Sequence, residues 1–405
     1  MKRRIVVTGL SCYSPIGHGM DEIYSSLSLG RSGVRYMSEW DEVTGLKARV
    51  AGSVKDFDPT LIGRQNRRTM DRVAQMSAKA LEEAIADSGL GKSDITNYKT
   101  GISFGSAMGG LETLYEFASS IYKNSGFKNV NATSFLKFMS HTVSANLAVM
   151  FNVIGRNIPT CSACTASSQA IGVAYDEITS GRADIMFCGG GEGLHFVQAG
   201  VFDSMCATAV SFNDNPEEAS RPFDARREGL VVAEGAGALV LEEYERAKKR
   251  GAKIYAEINA YANNCDGEHI TLPSKDGMKS VMKSALEQSG IGAVGYINAH
   301  ATATKQGDIA ESEAIFEIFG NTVPVSSTKG YTGHMFGGGG AVETIITILA
   351  LNKKFLPSNK NLTTIDPACA KINYITELMK KDIKSAINNN FAFGGINTCL
   401  VLSKI

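Results

Sequence analysis

The chain has 405 residues, 43% hydrophobic and 20% charged, the composition of an ordinary globular protein. Lys plus Arg and Asp plus Glu stand at 41 each, so no overall charge points to nucleic acid or a membrane as partner. Residues 1–9 hold too short an apolar run for a signal peptide, 345–351 is too short to span a bilayer, and eight irregularly spaced cysteines do not read as a disulfide framework, so a cytoplasmic protein is expected.

Short apolar runs alternate with helical periodicity, which predicts an α/β layered fold of two or three units or one fused pair. Strands are expected at 5–8, 101–104, 185–188 and 238–241. A helix over about 69–88 places Val73, Met76, Ala80, Ala84 and Ile85 on one face, and Gly89 ends it. A strand then leads into Cys164 and a helical stretch running to Gly181. Ala166, Ala170, Ile171, Ala174 and Ile178 leave small or apolar residues around most of that helix, as expected of one buried between sheets. A cysteine in the first helical turn meets the positive end of the dipole and free backbone N–H groups, which favours the thiolate.

The second half repeats this order coarsely. Strand 5–8, a strand with Gly105-Ser106-Ala107-Met108-Gly109-Gly110, and a strand before Cys164 have counterparts at 254–259, at a strand ending in His300-Ala301-Thr302, and at 324–327 before Lys329 and His334. Another Gly/Ala-rich helix starts at 337–341, and glycine-containing strand pairs at 235–241 and 391–402 close the halves. The expected units are 1–250, with the cysteine, and 251–405, with the two histidines. Such a duplication brings strand-end loops of both halves to one centre.

A lone cysteine or histidine is more often structural than reactive, and Cys161 with Cys164 also forms a C-x-x-C pair open to redox or metal chemistry. No second C-x-x-C or His-rich partner supports a metal. The joint occurrence of His300 and His334 at strand ends, each in a loop of small residues, shifts the balance to a site. Small residues clear space for a ligand, and their N–H groups can turn inward.

Ordered blocks along essentially all 405 residues carry a family resemblance. They are Val7-Thr8-Gly9, Ser162-Ala163-Cys164-Thr165, Ser220-Arg221-Pro222-Phe223-Asp224, Gly235-Ala236-Gly237, the His300 and Lys329/His334 loops, and Asn390-Phe391-Ala392-Phe393-Gly394-Gly395-Ile396-Asn397. Together they resemble the β-ketoacyl-[acyl-carrier-protein] synthases of type II fatty acid synthesis, and Phe202-Asp203-Ser204-Met205 looks closest to the elongating enzymes of the first type, with the second type close behind. The resemblance implies a thiolase-like fold, two duplicated βαβαβαββ halves in five αβαβα layers. It implies decarboxylating Claisen condensation of malonyl-carrier protein with an acyl chain held on Cys164. His300 and His334 would drive loss of CO2, and Lys329 would pair with Glu343. Asp308 and Glu311 would orient the His300 loop, and the N–H groups of Cys164 and Phe393 would form an oxyanion hole.

By the same resemblance Phe393 and Gly394 belong to a gating loop, with 264–269 a second mobile loop. Thr302 and Thr304 suit the amides of a phosphopantetheine arm, Met108 and Phe202 line the acyl pocket, and Gly394 is a further substrate-binding residue. Arg64, Arg67, Arg68, Lys123 and Lys128 would dock an acidic acyl carrier protein. A homodimer, or pairing with a chain-length factor, is implied, with no metal and no cofactor beyond the carrier's phosphopantetheine.

Three features depart from the family pattern. Ala301 and Ala303 stand in the His300 loop where a glycine and another small residue are common, Cys161 raises an inhibitory disulfide with Cys164, and Cys206 replaces a basic carrier contact. They point to a specialised synthase, for an unusual lipid or a polyene. A thiolase-type acyltransferase using coenzyme A would bring a second catalytic cysteine where this chain has His334. A non-catalytic chain-length factor would lack the nucleophile, and a cysteine hydrolase would release no CO2 from malonyl-carrier protein.

Overall fold

In the first half of the chain, β1 (Ile5–Ser14), β2 (Thr100–Gly105), β3 (Ile185–Glu192) and β4 (Gly235–Glu243) lie in the order β2-β3-β4-β1, with residues 157 and 160 bridging to β2. In the second half, β5 (Ala256–Cys265), β6 (Ile297–Asn298), β7 (Pro324–Ser326), β8 (Ser385–Ala392) and β9 (Ile396–Ser403) lie in the order β7-β6-β8-β9-β5. Matched element by element these orders are the same, and β4 and β9 are each antiparallel to both neighbours. The repeat visible as a sequence pattern is therefore a repeat of topology. The computed structural model behind this description covers residues 3–128 and 130–405, so Met1 and Lys2 of the N-terminal stretch lie outside it.

The two halves are not separate sheets. Ile5, Val6 and Val7 of β1 pair antiparallel with Ile258, Glu257 and Ala256 of β5, which makes the strands continuous. Helix α1 (Arg72–Ser88) packs on β1, β3 and β4. Helices α2 (Ala166–Thr179) and α5 (Phe336–Lys353) pack on each other and on strands of both halves. Helices α3 (Lys275–Ser289) and α4 (Lys305–Phe319) pack together, and α3 also covers β5 and β9. The layers are thus α, β, α, β, α. Residues 336–351 of α5 are all buried, which is why that helix lacks a polar stripe. No helix among the described residues is long and apolar enough to cross a membrane.

Local chemistry explains several boundaries. Asp71 accepts from the Arg72 amide at 2.5 Å and starts α1, while Gly89 ends it in the left-handed region at φ 68°. Arg64 and Arg67 do not belong to that helix; they form a separate short one, Arg64–Arg67, with Arg68 just after it. Residues 157–160 make isolated bridges rather than a full strand, and a 3-10 turn, Ala163–Thr165, intervenes before α2. Cys164 therefore lies one step upstream of the α-helix expected to begin around it. Positions 264 and 265 of the expected mobile loop belong to β5, paired with Asn397 and Ile396.

The block 220–224 forms a buried clamp. Arg221 and Asp224 are both fully buried and meet at 2.9 Å, while Asp224 also accepts from the amides of Arg226, Thr363 and Thr364. Burial alone would raise the Asp224 pKa, but those amides and the guanidinium outweigh it and hold the carboxyl far below its usual range. Asp224→Asn is expected to cost about 3–5 kcal/mol at neutral pH, because it leaves the buried guanidinium only the distant carboxylate of exposed Glu218, at 3.8 Å. A depressed carboxyl stabilises above its unfolded value of about 4 and loses that contribution as pH falls toward the folded value. Urea unfolding should show the gap between wild type and variant narrowing below about pH 4; a gap independent of pH would contradict the ion pair.

Candidate active site

Cys164 lies more than about 130 residues before His300 and His334 and on a loop of the other half, yet its sulfur and their ring nitrogens fall within 4.8 Å of one another. His334 Nε2 is 3.0 Å from Cys164 Sγ, and the two imidazoles meet edge to face with centroids 5.3 Å apart. Each group arrives on a braced loop. The His300 and Ala301 amides donate to the two oxygens of Glu311 at 2.9 and 2.7 Å. Asp308 accepts from the Ala303 and Phe223 amides and lies 3.4 Å from buried Arg227. Ser327 donates to the Ala301 carbonyl at 2.7 Å and so links the two histidine loops. His334 is held by its own amide, bonded to Val231 O at 2.7 Å.

Lys329 and Glu343 form an ion pair with both side chains 1% exposed. Burial, and then the Lys329 charge, hold both histidines well below the usual histidine range. The Cys164 thiol departs from the sequence expectation of a thiolate: burial pushes it up to about 12, with Lys329 opposing. Desolvation exceeds the help of the helix start because the cysteine sits in the 3-10 turn, before the free amides of α2. At rest a protonated thiol and an uncharged imidazole share this 3.0 Å contact. Three such ligand atoms could also suggest zinc, but Zn–S and Zn–N bonds of about 2.3 and 2.0 Å would hold sulfur and nitrogen roughly 3.5 Å apart. The separation of 3.0 Å fits a hydrogen bond, and neither Nδ1 has the second partner that a metal-bound imidazole needs.

Above the triad opens a cavity of about 460 Å³ lined by Phe202, Thr302, Thr304, Phe391, Phe393 and Gly395, and farther out by Cys206, Thr271, Leu272 and Lys305. The Thr302 and Thr304 hydroxyls lie 3.2 Å apart. Phe393 is 41% exposed, and its ring is 5.8 Å from that of Phe202. Gly394 and Gly395 have φ of 86° and 70°, and a Cβ on Gly395 would come within 2.3 Å of Asp266, so this turn needs glycine.

Two expected lining residues are elsewhere. Gly394 turns away, bonding Ile270 O through its amide, and Gly395 lines the cavity instead. Met108 is not on this cavity; its amide is drawn to Glu192 at 3.2 Å in the turn after β2. In the His300 loop Ala303, rather than Ala301, takes the left-handed conformation, at φ 66°. Cys161 is exposed and donates to Ala107 O at 3.6 Å, with both it and Cys164 free. Arg64, Arg68, Lys123 and Lys128 are exposed and Arg67 is half-buried.

Glu192 escaped the sequence reading. It is fully buried, and its carboxyl gathers the amides of Ala107, Met108 and Gly337, bracing the nucleophile side of the site against the start of α5. Burial pushes it up to about 7 despite those bonds. The only sequence signal was an acidic residue ending the run Gly189-Gly190-Gly191 in an apolar strand.

Residues 2–247 match the family described as Beta-ketoacyl synthase, N-terminal domain, and 255–363 match Beta-ketoacyl synthase, C-terminal domain. The chain is 38% identical over 406 residues to 3-oxoacyl-[acyl-carrier-protein] synthase 1 of Escherichia coli (strain K12), covering 100% of this chain and 99% of that one. A beta-ketoacyl synthase from Burkholderia phymatum STM815 has the same fold at TM-score 0.96 and 41% identity, over 100% of both chains. A ketosynthase solved as a type II PKS complex with its acyl-carrier protein, bound to the hexaketide, is similar at TM-score 0.91 and 30% identity over 100% of both chains. Matched across both domains and nearly end to end, and folded as these thiolase-like ketosynthases are, the chain belongs to the beta-ketoacyl synthase family.

Proposed function

We propose that this protein catalyses the decarboxylative condensation of malonyl-[acyl-carrier protein] with an acyl chain held as a thioester on Cys164. The observation that carries the reading is the 3.0 Å approach of His334 Nε2 to Cys164 Sγ, with His300 beside them at the base of one cavity. In the first step Cys164 sulfur attacks the incoming acyl thioester, and the proton it gives up ends on the departing pantetheine thiolate. Malonyl-carrier protein then enters. Its carboxylate leaves as CO2, and the electron pair of the broken C–C bond moves toward the thioester carbonyl to give an enolate. Imidazole N–H groups of His300 and His334 stabilise that oxyanion. Their depressed basicity matters here, since an imidazolium would hand a proton to the carbanion and end the reaction. The carbanion attacks the acyl carbonyl on Cys164, with backbone N–H groups of Cys164 and Phe393 receiving the second oxyanion. Collapse breaks the C–S bond and releases the β-ketoacyl thioester, and the Cys164 thiolate that leaves takes up a proton from solvent.

Thr302 and Thr304 meet the amides of the pantetheine arm, and Phe393 with Gly394 forms the gate. Lys329–Glu343, Asp308 and Glu311 position the two histidine loops. Phe202 lines the acyl end of the cavity. No metal takes part in this scheme, and the only prosthetic arm is the carrier's. All eight cysteines are free, which accords with a cytoplasmic setting. Mass spectrometry of Cys164 after incubation with a panel of acyl-carrier thioesters, together with CO2 release from malonyl-carrier protein, tests the reading. Failure of the wild-type protein to form any Cys164 adduct would overturn it.

An acidic acyl carrier protein docks on Arg64, Arg67, Arg68, Lys123 and Lys128 in this reading. Reversing Arg64 and Arg68 to glutamate is expected to raise KM for malonyl-carrier protein roughly tenfold at low salt, with kcat within about twofold. The difference should shrink as ionic strength rises. An unchanged KM would move the docking site elsewhere. Exposed apolar residues of the first half support a homodimer. Leu114, Tyr115, Phe135, Leu136, Val149 and Ile154 are exposed between residues 111 and 161, and 157–160 are bridged on one edge to β2. Light scattering at micromolar concentration should report two chains; a monomer would contradict this.

A further inference from the structure

Three consecutive asparagines, Asn388, Asn389 and Asn390, are buried on β8. A buried amide is costly unless its hydrogen bonds are met, so its partners show what it holds. Asn390 Nδ2 donates to Glu343 Oε2 at 2.6 Å. Its Oδ1 accepts from Ser168 Oγ at 2.5 Å and from Asn388 Nδ2 at 3.3 Å. Two donors on one oxygen fix the orientation of the amide and leave the nitrogen for the carboxylate. Ser168 lies on α2, four residues after Cys164, and the other oxygen of Glu343 takes Lys329. Gly340 makes room for this chain of contacts: a Cβ there would lie 2.0 Å from Ser168 Oγ and 3.0 Å from Asn390 Oδ1.

We propose that Asn390 is a positioning residue of the condensation site, a tie that sets the Lys329–Glu343 pair against the helix following Cys164. The inference rests on the condensing-enzyme reading and adds to it a residue that touches no substrate. Ser168, Asn390, Glu343 and Lys329 come from four separate elements and form one continuous buried line. Lys329 is also anchored through its carbonyl, which accepts from Ser220 Oγ at 2.6 Å, so both ends of the line are held. Its charge acts on all three reacting side chains, favouring neutral imidazoles and opposing the effect of burial at the thiol. Without the amide donor, one Glu343 oxygen is left buried with no partner, and the pair is free to shift away from α2.

The test begins with the wild-type enzyme and malonyl-carrier protein, together with an acyl-carrier thioester. Absence of both CO2 release and Cys164 acylation would sink the condensing reading and leave this one without an object. Given those activities, Asn390→Leu, similar in shape and without polar atoms, is expected to lower kcat for CO2 release about tenfold or more, with KM for malonyl-carrier protein within about twofold. Ser168→Ala should lose less, and the double variant should be no more than about twofold worse than Asn390→Leu, because both cut the same line. A kcat within twofold of wild type, a loss confined to KM, or fully multiplicative effects would each overturn the proposal. Should Asn390→Leu fail to fold, the isosteric Asn390→Asp keeps the Ser168 contact and replaces only the donor to Glu343; the same split of kcat from KM is required of it.

Discussion

Cys164→Ala should abolish condensation while leaving release of CO2 from malonyl-carrier protein measurable. The sulfur is the only group in the triad able to hold an acyl chain, so removing it takes away the covalent intermediate, and condensation should fall by about 10⁴-fold or more. The enolate-forming step needs the imidazoles of His300 and His334, which alanine at 164 leaves in place. Removing the thiol also removes the hydrogen bond that occupies His334 Nε2 at rest. Intact-mass analysis should find no acyl adduct on the variant, while a coupled assay still detects CO2. Persisting condensation, or an adduct on another residue such as exposed Cys161, would assign the nucleophile wrongly.

His334→Ala should slow CO2 release by roughly 10²–10³-fold, the usual cost of losing one donor to a developing oxyanion, about 3–4 kcal/mol. Acylation of Cys164 should suffer less. In that step the departing pantetheine thiolate can take the proton, so the imidazole is not its only destination. Single-turnover assays of the two half-reactions separate them, and a larger loss in acylation than in CO2 release would reverse the roles. The comparison is informative because His334 touches the sulfur at 3.0 Å while its backbone is anchored independently at Val231. The loop should therefore keep its course when the ring is removed.

How far the sequence could be read depended on the range of the interactions involved. The helix ending at Gly89 was legible because a left-handed glycine is a local requirement, and the apolar face of α1 because its period is local. Helix starts were less so. Asp71, rather than a residue at 69, caps α1, and a 3-10 turn separates Cys164 from α2, distinctions that hang on single hydrogen bonds. The repeat of strand order was visible as a pattern of elements, but the pairing of β1 with β5 that joins the halves leaves no trace in either strand alone.

By itself the sequence determined the family, the layered α/β class and the cysteine and two histidines at strand ends, because residue types, periods and motif order are properties of the chain read in line. Tertiary structure alone decided the state of those groups. Burial against residues far along the chain pushes the Cys164 thiol up to about 12, and burial with the charge of Lys329 makes the histidines poor bases. Met108 leaves the cavity because Glu192, 84 positions away, captures its amide. Asn390 reads as an ordinary strand residue until Ser168 and Glu343 arrive from two other helices. Burial and hydrogen bonding act through space, and the neighbours that impose them are set by the fold rather than by adjacency in the chain.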